Sequence, residues 1–578
     1  MRTFDWILKP GADPEAVRDL SIRLNNLPEA LARCLYLRGV RSFDEARLFF
    51  RGGAESLHAP GRMAGMDDAV NRLVKAIRSR ERVVVYGDYD VDGTTSTAMM
   101  THFLRERGVP AAFFIPDRLR HGYGLCRAGV EEAATMGATL LVAIDCGVTA
   151  VEEVELAGQL GLDVVICDHH TPPETLPAAL AILNPKRSDC VYPFGELCGC
   201  GVAFKLINAV SAALGEGAEA ANQYLDLVAL ATAADVVPLR GENRILLREG
   251  ILRLQSQPRL GIRKLAEEAR VTLEQCDARA IQFGLAPRIN AAGRLGDAKR
   301  AVRLLLTDDE QEAADRARQL ERVNTDRRAL DRAVLDQAQE RAEEILSGER
   351  RSVVLYDPGW HLGVVGIVAA RIVDRHHVPT ILLGAANGLA KGSARSIPGV
   401  NVYDALVACR DLLTTFGGHD YAAGLALPPE AVATFTDRFD EAVRHVADDA
   451  TFRRKLAIDA ELDLNDVDQR FWAVLDQFSP FGAENDPPLF VSRGVRIASP
   501  PRRAGKSGDH IKLRVAGENG PSHEVIGFGL GDRFDALQAC HRSGDGFDAA
   551  FNLAENSWNG VRTVQLQLRD VDVPDHLL

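Results

Sequence analysis

Acids and imidazoles gather at the ends of three short apolar runs. Asp88, Asp90 and Asp92 follow Arg82-Val83-Val84-Val85-Tyr86; Asp145 follows Leu140-Leu141-Val142-Ala143-Ile144; Asp168-His169-His170 follows Val164-Val165-Ile166-Cys167. Carboxylates and imidazoles are ligands of divalent cations, and acids held together resist ionisation unless a cation offsets their charge. The grouping points to a centre for two divalent metals. A single Asp at a strand end reads equally as the N-cap of the next helix. That reading stays open for Asp145, which precedes Gly147-Val148-Thr149, and is poor for an Asp-His-His triplet directly after a four-residue strand.

For these residues to meet, the runs must be neighbours. β-branched runs of four or five residues read as buried strands of a parallel sheet, and such sheets bind ligands beyond the carboxyl ends of their strands. Strands at 82–87, 111–116, 140–145 and 164–168 alternate with helices at 94–108, 127–136 and 150–161, the pattern of an α/β domain. Residues 1–66 read as a helical N-terminal cap and 67–307 as the catalytic domain. Residues 308–347 lack Gly and Pro and carry Leu320, Val323, Leu330, Val334 and Ile345 among charges. They read as one long connector helix of about 60 Å. A second α/β domain is expected over 348–450. From 455 to 578, short alternating segments such as His510-Ile511-Lys512-Leu513-Arg514-Val515 between Gly, Pro and Asn turns suggest a small β-barrel.

Composition narrows the function. A chain of 578 residues needs several cores, and 46% hydrophobic with 26% charged residues is ordinary for a globular protein. No apolar run is long enough to span a bilayer and the first residues lack a signal peptide's apolar stretch, so a cytoplasmic protein without a membrane partner is expected. The ten cysteines are scattered in apolar contexts, which argues against disulfides. Cys198-Gly199-Cys200 is too tightly spaced for the usual zinc knuckle. A net charge of -13 argues against nucleic acid, but metals would cancel several of the acids. Positive charge is also concentrated locally, in Arg502, Arg503, Lys506, Lys512 and Arg514 against the single acid Asp509, a cluster that taken alone reads as a solvated loop.

Asp90-Val91-Asp92-Gly93-Thr94 alone resembles the opening motif of haloacid-dehalogenase phosphatases, a reading that leaves Asp145 and Asp168-His169-His170 unused. Taken together, Tyr86-Gly87-Asp88-Tyr89-Asp90-Val91-Asp92-Gly93, Ile144-Asp145-Cys146-Gly147, Asp168-His169-His170 and Ala234-Asp235-Val236-Val237-Pro238 resemble, in order, the four motifs of the DHH phosphoesterase superfamily. Further motifs resemble the RecJ family of single-strand-specific 5′-to-3′ DNA exonucleases. These are Ile115-Pro116-Asp117-Arg118 with Gly122-Tyr123-Gly124, Pro287-Arg288-Ile289-Asn290-Ala291-Ala292-Gly293-Arg294, Trp360-His361-Leu362-Gly363-Val364-Val365-Gly366, Gly392-Ser393-Ala394-Arg395-Ser396 and Phe416-Gly417-Gly418-His419. The likeness covers nearly the whole chain.

The resemblance implies one metal on Asp92, Asp145, His169 and Asp235, and a second on Asp90 and Asp145 with Asp88 close by. Oxygen donors with one imidazole suit Mn²⁺ or Mg²⁺. Many superfamily members place a histidine where this chain has Tyr86, a poor ligand near neutral pH. His170 is the candidate donor to the phosphoryl oxygen, and Asp168 a residue that orients the site. Arg118, Arg288, Ser393 and Arg395 are expected on DNA phosphates, with Asn290 and Arg294 in the same motif group. His419 reads either as a further phosphate contact or as a packed histidine. The barrel resembles an OB-fold, which binds single strands through a basic groove and stacked bases; Phe528 and Trp558 are candidates there, with core positions favoured for both. Single-stranded DNA is the expected partner, and the family suggests a single-strand-binding protein and a helicase in repair and recombination. Two other readings are a DHH enzyme acting on oligoribonucleotides, cyclic dinucleotides or pyrophosphate, and a non-catalytic DNA-binding scaffold. Length and the added barrel count against the first, the intact acids against the second.

Overall fold

The computed structural model describes residues 4–118, 120–518, 520–558 and 561–577, and at 557, 558 and 561 the backbone only. After a short strand, β1 (Asp5–Leu8), comes a sheet of five parallel strands: β2 (Val83–Gly87), β3 (Ala111–Phe114), β4 (Leu140–Ile144), β5 (Asp163–Cys167) and β6 (Ala181–Leu183), in the order β3-β2-β4-β5-β6. Successive side chains of a strand point to opposite faces. Val83 and Val85 accordingly enter one apolar core while Val84 and Tyr86 enter another. Helices cover both faces, so every residue of β2 and β4 is buried. Register then does the positioning: Gly87 pairs with Ile144, and Ile144 with Cys167. The next residues along the three chains are Asp88, Asp145 and Asp168.

The long helix runs from Glu310 to Leu346, started by Asp309, whose carboxylate accepts the Glu312 N–H at 2.7 Å. Ala313, Ala317 and Leu320 pack into the first domain's core, and Val334, Ala338 and Ala342 into the second's. The helix is therefore a rigid strut of about 55 Å shared by two cores. The second sheet contains β7 (Val353–Tyr356), β8 (Thr380–Ala386), β9 (Leu389–Arg395), β10 (Thr415–His419) and β11 (Ala422–Leu427) in the order β10-β11-β9-β8-β7. Only β7 and β8 run parallel.

Strand β12 (Lys455–Ile458) pairs in parallel with β1. Beyond it lie β13 (Ala460–Glu461), β14 (Phe490–Ala504), β15 (His510–Ala516), β16 (Ser522–Gly527), β17 (Phe547–Trp558) and β18 (Val561–Asp572). Strands β14-β15-β16-β18-β17 form a five-stranded barrel closed by β17 on β14. The N-terminal residues do not stand alone as a cap. Leu20, Leu31, Cys34, Leu35 and Ala46 share one core with Phe471, Phe490 and Phe551 of the barrel region, whereas the helix Met66–Ser79 belongs to the catalytic domain's core. Local sequence pattern carries no sign of a partner some 450 positions away. All ten cysteines are free, and among the described residues no helix is long and apolar enough to cross a membrane.

Candidate metal centre

Asp90 and Asp92 sit at the start of the helix Val91–Glu106. Asp90 caps it, one carboxylate oxygen accepting the Gly93 N–H at 3.0 Å and the other left for a second partner. Asp92 points across to another helix start: it accepts the Gly199 and Cys200 N–H groups at 2.6 and 2.8 Å, where unpaired amides favour an anion. A Cβ at Gly199 would lie 2.8 Å from Asp145 Cβ and 3.0 Å from the Asp92 carboxylate. Only glycine fits there. Sequence reasoning weighed Cys198-Gly199-Cys200 for zinc and missed the glycine; a small residue opening a helix was the available signal.

Asp145 is not an N-cap. It adopts φ +62° directly after β4, and the next helix starts only at Val151. Its Oδ1 is 3.2 Å from His169 Nε2, which also lies 3.6 Å from Asp235 Oδ2 and 3.8 Å from Asp92 Oδ2. Asp235 ends the helix Leu225–Ala234. The ligand atoms of Asp92, His169 and Asp235 come within 4.8 Å of one another, as do those of Asp88, Asp90 and Asp145, and those of Asp145, His169 and His170.

This donor set fits divalent cations. Asp88 Oδ1 and Asp235 Oδ2 are buried without a hydrogen-bond partner, an arrangement that costs about 1–3 kcal/mol or more for each such group. Burial, and after it the neighbouring acids, push Asp88, Asp145 and Asp235 well above the usual carboxylate range and Asp92 up to about 7. Burial, then His170, pushes His169 down to about 3. Its imidazole is thus neutral and keeps a lone pair for a metal.

Asp168 serves differently. It accepts the backbone N–H groups of Val148, His169 and His170 at 2.9, 2.7 and 3.1 Å, and bonds His170 Nδ1 at 2.7 Å. Burial would raise it, but the His170 hydrogen bond and these amides hold it below the usual range. Burial would likewise lower His170, and the bond to Asp168 raises it instead. Tyr123, quoted in a motif but given no role, places its Oη 2.9 Å from His170 Nε2 and donates to the Asp145 carbonyl at 3.3 Å. Tyr86 is elsewhere: its buried phenol donates to the Gly124 carbonyl at 2.8 Å and accepts the Cys126 N–H at 3.2 Å.

Three arginines from three segments converge beside the acids. The Arg118 guanidinium lies 5.4 Å from the Tyr89 ring centroid, Arg294 donates to the Gly363 carbonyl at 3.3 Å, and Arg395 donates to Ser393 Oγ at 2.7 Å. Burial, then Arg118, Arg327 and Arg395, lowers Arg294 to about 10, and burial with Arg118 lowers Arg395. Mutual repulsion of this kind suits an anion site. Asn290, half-buried, precedes Arg294 by one helical turn on the same face. His419 is exposed and pairs with Ala422, which pairs with Arg395. Register therefore puts His419 and Arg395 on one face of the second sheet, roughly 10 Å apart.

Arg288 is not brought to this group. Its Nε lies 2.5 Å from Glu321 on the long helix and its Nη1 donates to the Gly284 carbonyl at 2.5 Å, because it sits on a different face of the helix from Arg294. In the barrel, Arg502, Arg503, Lys506, Lys512 and Arg514 are all exposed. Phe528 is 57% exposed beside His510, not a core residue. The Trp558 side chain lies outside the described residues.

The sequence matches the DHH family, N-terminal domain, over residues 82–232, the DHHA1 domain over 350–445 and the RecJ OB domain over 458–570. The single-stranded-DNA-specific exonuclease RecJ of Bacillus subtilis is 36% identical over 565 residues, covering 97% of this chain and 70% of the relative. The Salmonella typhimurium RecJ is 36% identical, covering 94% and 92%. Among solved structures, Thermus thermophilus RecJ in complex with Mn²⁺ superposes with a TM-score of 0.83 at 31% identity over 99% of this chain and 80% of that one. The same protein in complex with Mg²⁺ gives 0.76 at 28% identity.

Proposed function

The chain belongs to the RecJ family of single-stranded-DNA-specific exonucleases, and from that membership we propose how its residues hydrolyse DNA from a 5′ end. It is a hydrolase that uses Mn²⁺ or Mg²⁺. The observation that carries the residue assignment is the convergence of Asp88, Asp90, Asp92, Asp145, His169 and Asp235, with buried carboxylate oxygens left unpartnered. Asp92, His169 and Asp235 would hold one cation and Asp88 and Asp90 the other, with Asp145 reaching both.

When bound, two such cations polarise the phosphodiester and make water acidic enough to attack it near neutral pH. The chain supplies the rest. Gly199 and Cys200 fix the Asp92 carboxylate, and Asp168 fixes the His169-His170 backbone. Asp168 also raises the proton affinity of His170, which favours the form whose Nε2, meeting Tyr123 in this structure, can donate to a phosphoryl oxygen as charge builds there. Arg118, Arg294, Arg395 and Ser393 bind the terminal 5′ phosphate, which places the next phosphodiester among the acids. Asn290 and His419 flank that pocket. The exposed cations of β14 and β15, with Phe528, extend the track for the rest of the strand. A single-strand-binding protein and a helicase in repair and recombination are the partners this reading assigns.

Labelled substrates test it. With Mn²⁺, the protein should release nucleotides from 5′-phosphorylated single strands and spare blunt duplex, a dinucleotide and pyrophosphate. Arg395→Ala should slow cutting of 5′-phosphorylated strands by roughly ten-fold or more, the worth of a charge-assisted bidentate contact, with little effect on 5′-hydroxyl strands. Equal loss on both strands would remove Arg395 from the end pocket.

A further inference from the structure

Val236, the residue after Asp235, is held at φ +58°, a conformation disfavoured for a β-branched side chain. Its own side chain does not enforce this, being 63% exposed. The loop is gripped at its far end instead. The Leu239 N–H donates to the Ala483 carbonyl at 2.8 Å, and Gly482 packs so closely on Leu239 that a Cβ would lie 2.5 Å from its Cδ1. Phe481 and Gly482 line a small cavity with Thr232, Ala233 and Val237, residues of the segment that carries Asp235.

Residues 480–485 belong to the C-terminal unit and form a rigid turn. Gly482 and Asn485 exchange both backbone hydrogen bonds. The buried Asn485 side chain donates to the Phe478 and Pro480 carbonyls at 2.8 Å each and accepts from Arg38 at 2.7 Å. From the catalytic domain, Arg244 donates to the carbonyls of Gln477, Phe478 and Ser479 at 2.8, 2.7 and 2.8 Å. Both units thus fix where the turn stands, and its outward Ala483 carbonyl is spent on Leu239.

We propose that the turn Pro480–Asn485 is a positioning element of the metal centre: by clasping Leu239 it keeps the Asp235–Leu239 loop in its strained path and Asp235 within reach of His169. This rests on Asp235 being a cation ligand, and it gives the C-terminal unit a part in building the centre, distinct from holding DNA. Glycine adopts the left-handed region freely, so Val236→Gly should make the loop independent of the clasp.

The test is Mn²⁺ affinity of the full chain without DNA, read from the electron paramagnetic resonance signal of free Mn²⁺. Asn485→Ala should weaken one class of sites by about ten-fold, the usual effect of losing a group that orients a ligand, and adding Val236→Gly should restore it. Should Asn485→Ala not fold, Gly482→Val, which presses a branched side chain where even a Cβ would lie 2.5 Å from Leu239 Cδ1, is measured in its place with the same expectation. Unchanged affinity, or a loss that Val236→Gly does not restore, overturns the proposal. Asp235→Asn separates it from its premise: if that variant binds Mn²⁺ normally, the reading of Asp235 as a ligand fails; if it alone loses Mn²⁺, only the clasp fails.

Discussion

Asp88, Asp92, Asp145 and Asp235 hold protons more tightly than free carboxylates because burial, and then their acidic neighbours, oppose ionisation. In the unfolded chain the same groups titrate near pH 4. Between that value and the raised folded values, about 7 for Asp92, the metal-free folded protein binds more protons than the unfolded chain. Their contribution to stability is therefore complete below about pH 4 and is lost as pH rises through the folded values. Asp168, held low, behaves oppositely: its contribution is lost only as pH falls through its own lowered value. The melting temperature of chelator-treated protein should fall between about pH 5 and pH 7.5, and Mn²⁺ should raise it more at the higher pH, where fewer protons need be expelled. A Mn²⁺ shift that ignores pH, measured by scanning calorimetry, would take these acids out of the cation site. The acids and His169 were legible because polar residues after apolar strands stand out. Tyr123 was not, since its contact with His170 depends on how the loop after β3 folds back.

Among the elements, continuous apolar runs identified every strand of the first sheet but the short β6, and the absence of Gly and Pro identified the long helix. The helix after β2 begins at Val91 rather than 94 because Asp90 caps it as well as facing the site. In the second sheet the β8–β9 hairpin had a local sign, Asn387-Gly388, whose φ values of +52° and +78° are those of a two-residue type I′ turn. The approach of the helix Gly199–Ala213 to Asp92 had no such sign, since it depends on tertiary packing between elements more than a hundred residues apart. Its consequence is measurable. Gly199→Ala puts a methyl 2.8 Å from Asp145 Cβ, well inside contact distance, and must displace Asp145, Asp92 or the helix itself. Loss of activity by at least about ten-fold with weakened Mn²⁺ binding is expected, while Gly158→Ala, where a Cβ would meet nothing within 4 Å, should be silent. Equal activity in the two variants would mean the helix start is free to yield.

At the level of the whole molecule, described residues of the first fifty and of the last hundred and twenty share one core. Leu20, Leu31 and Leu35 are at most 1% exposed in the core they share with Phe490 and Phe551, and β1 adds its hydrogen bonds to β12. Removing three fully buried leucines forfeits about 5–9 kcal/mol of apolar burial, against about 5–15 kcal/mol for a whole domain. A chain lacking residues 1–51 should therefore lose the barrel's calorimetric transition or shift it down steeply, while the transition of the catalytic domain, whose core does not include those residues, persists. The turn at 480–485 hangs on the same unit through the Arg38–Asn485 bond. Truncation at the amino end should then weaken Mn²⁺ binding at Asp235, although none of the described residues removed belongs to the cluster of acids and imidazoles. A barrel transition at its original temperature in the truncated chain would show that the N-terminal helices only cover the barrel, and would leave Arg244 as the turn's remaining anchor.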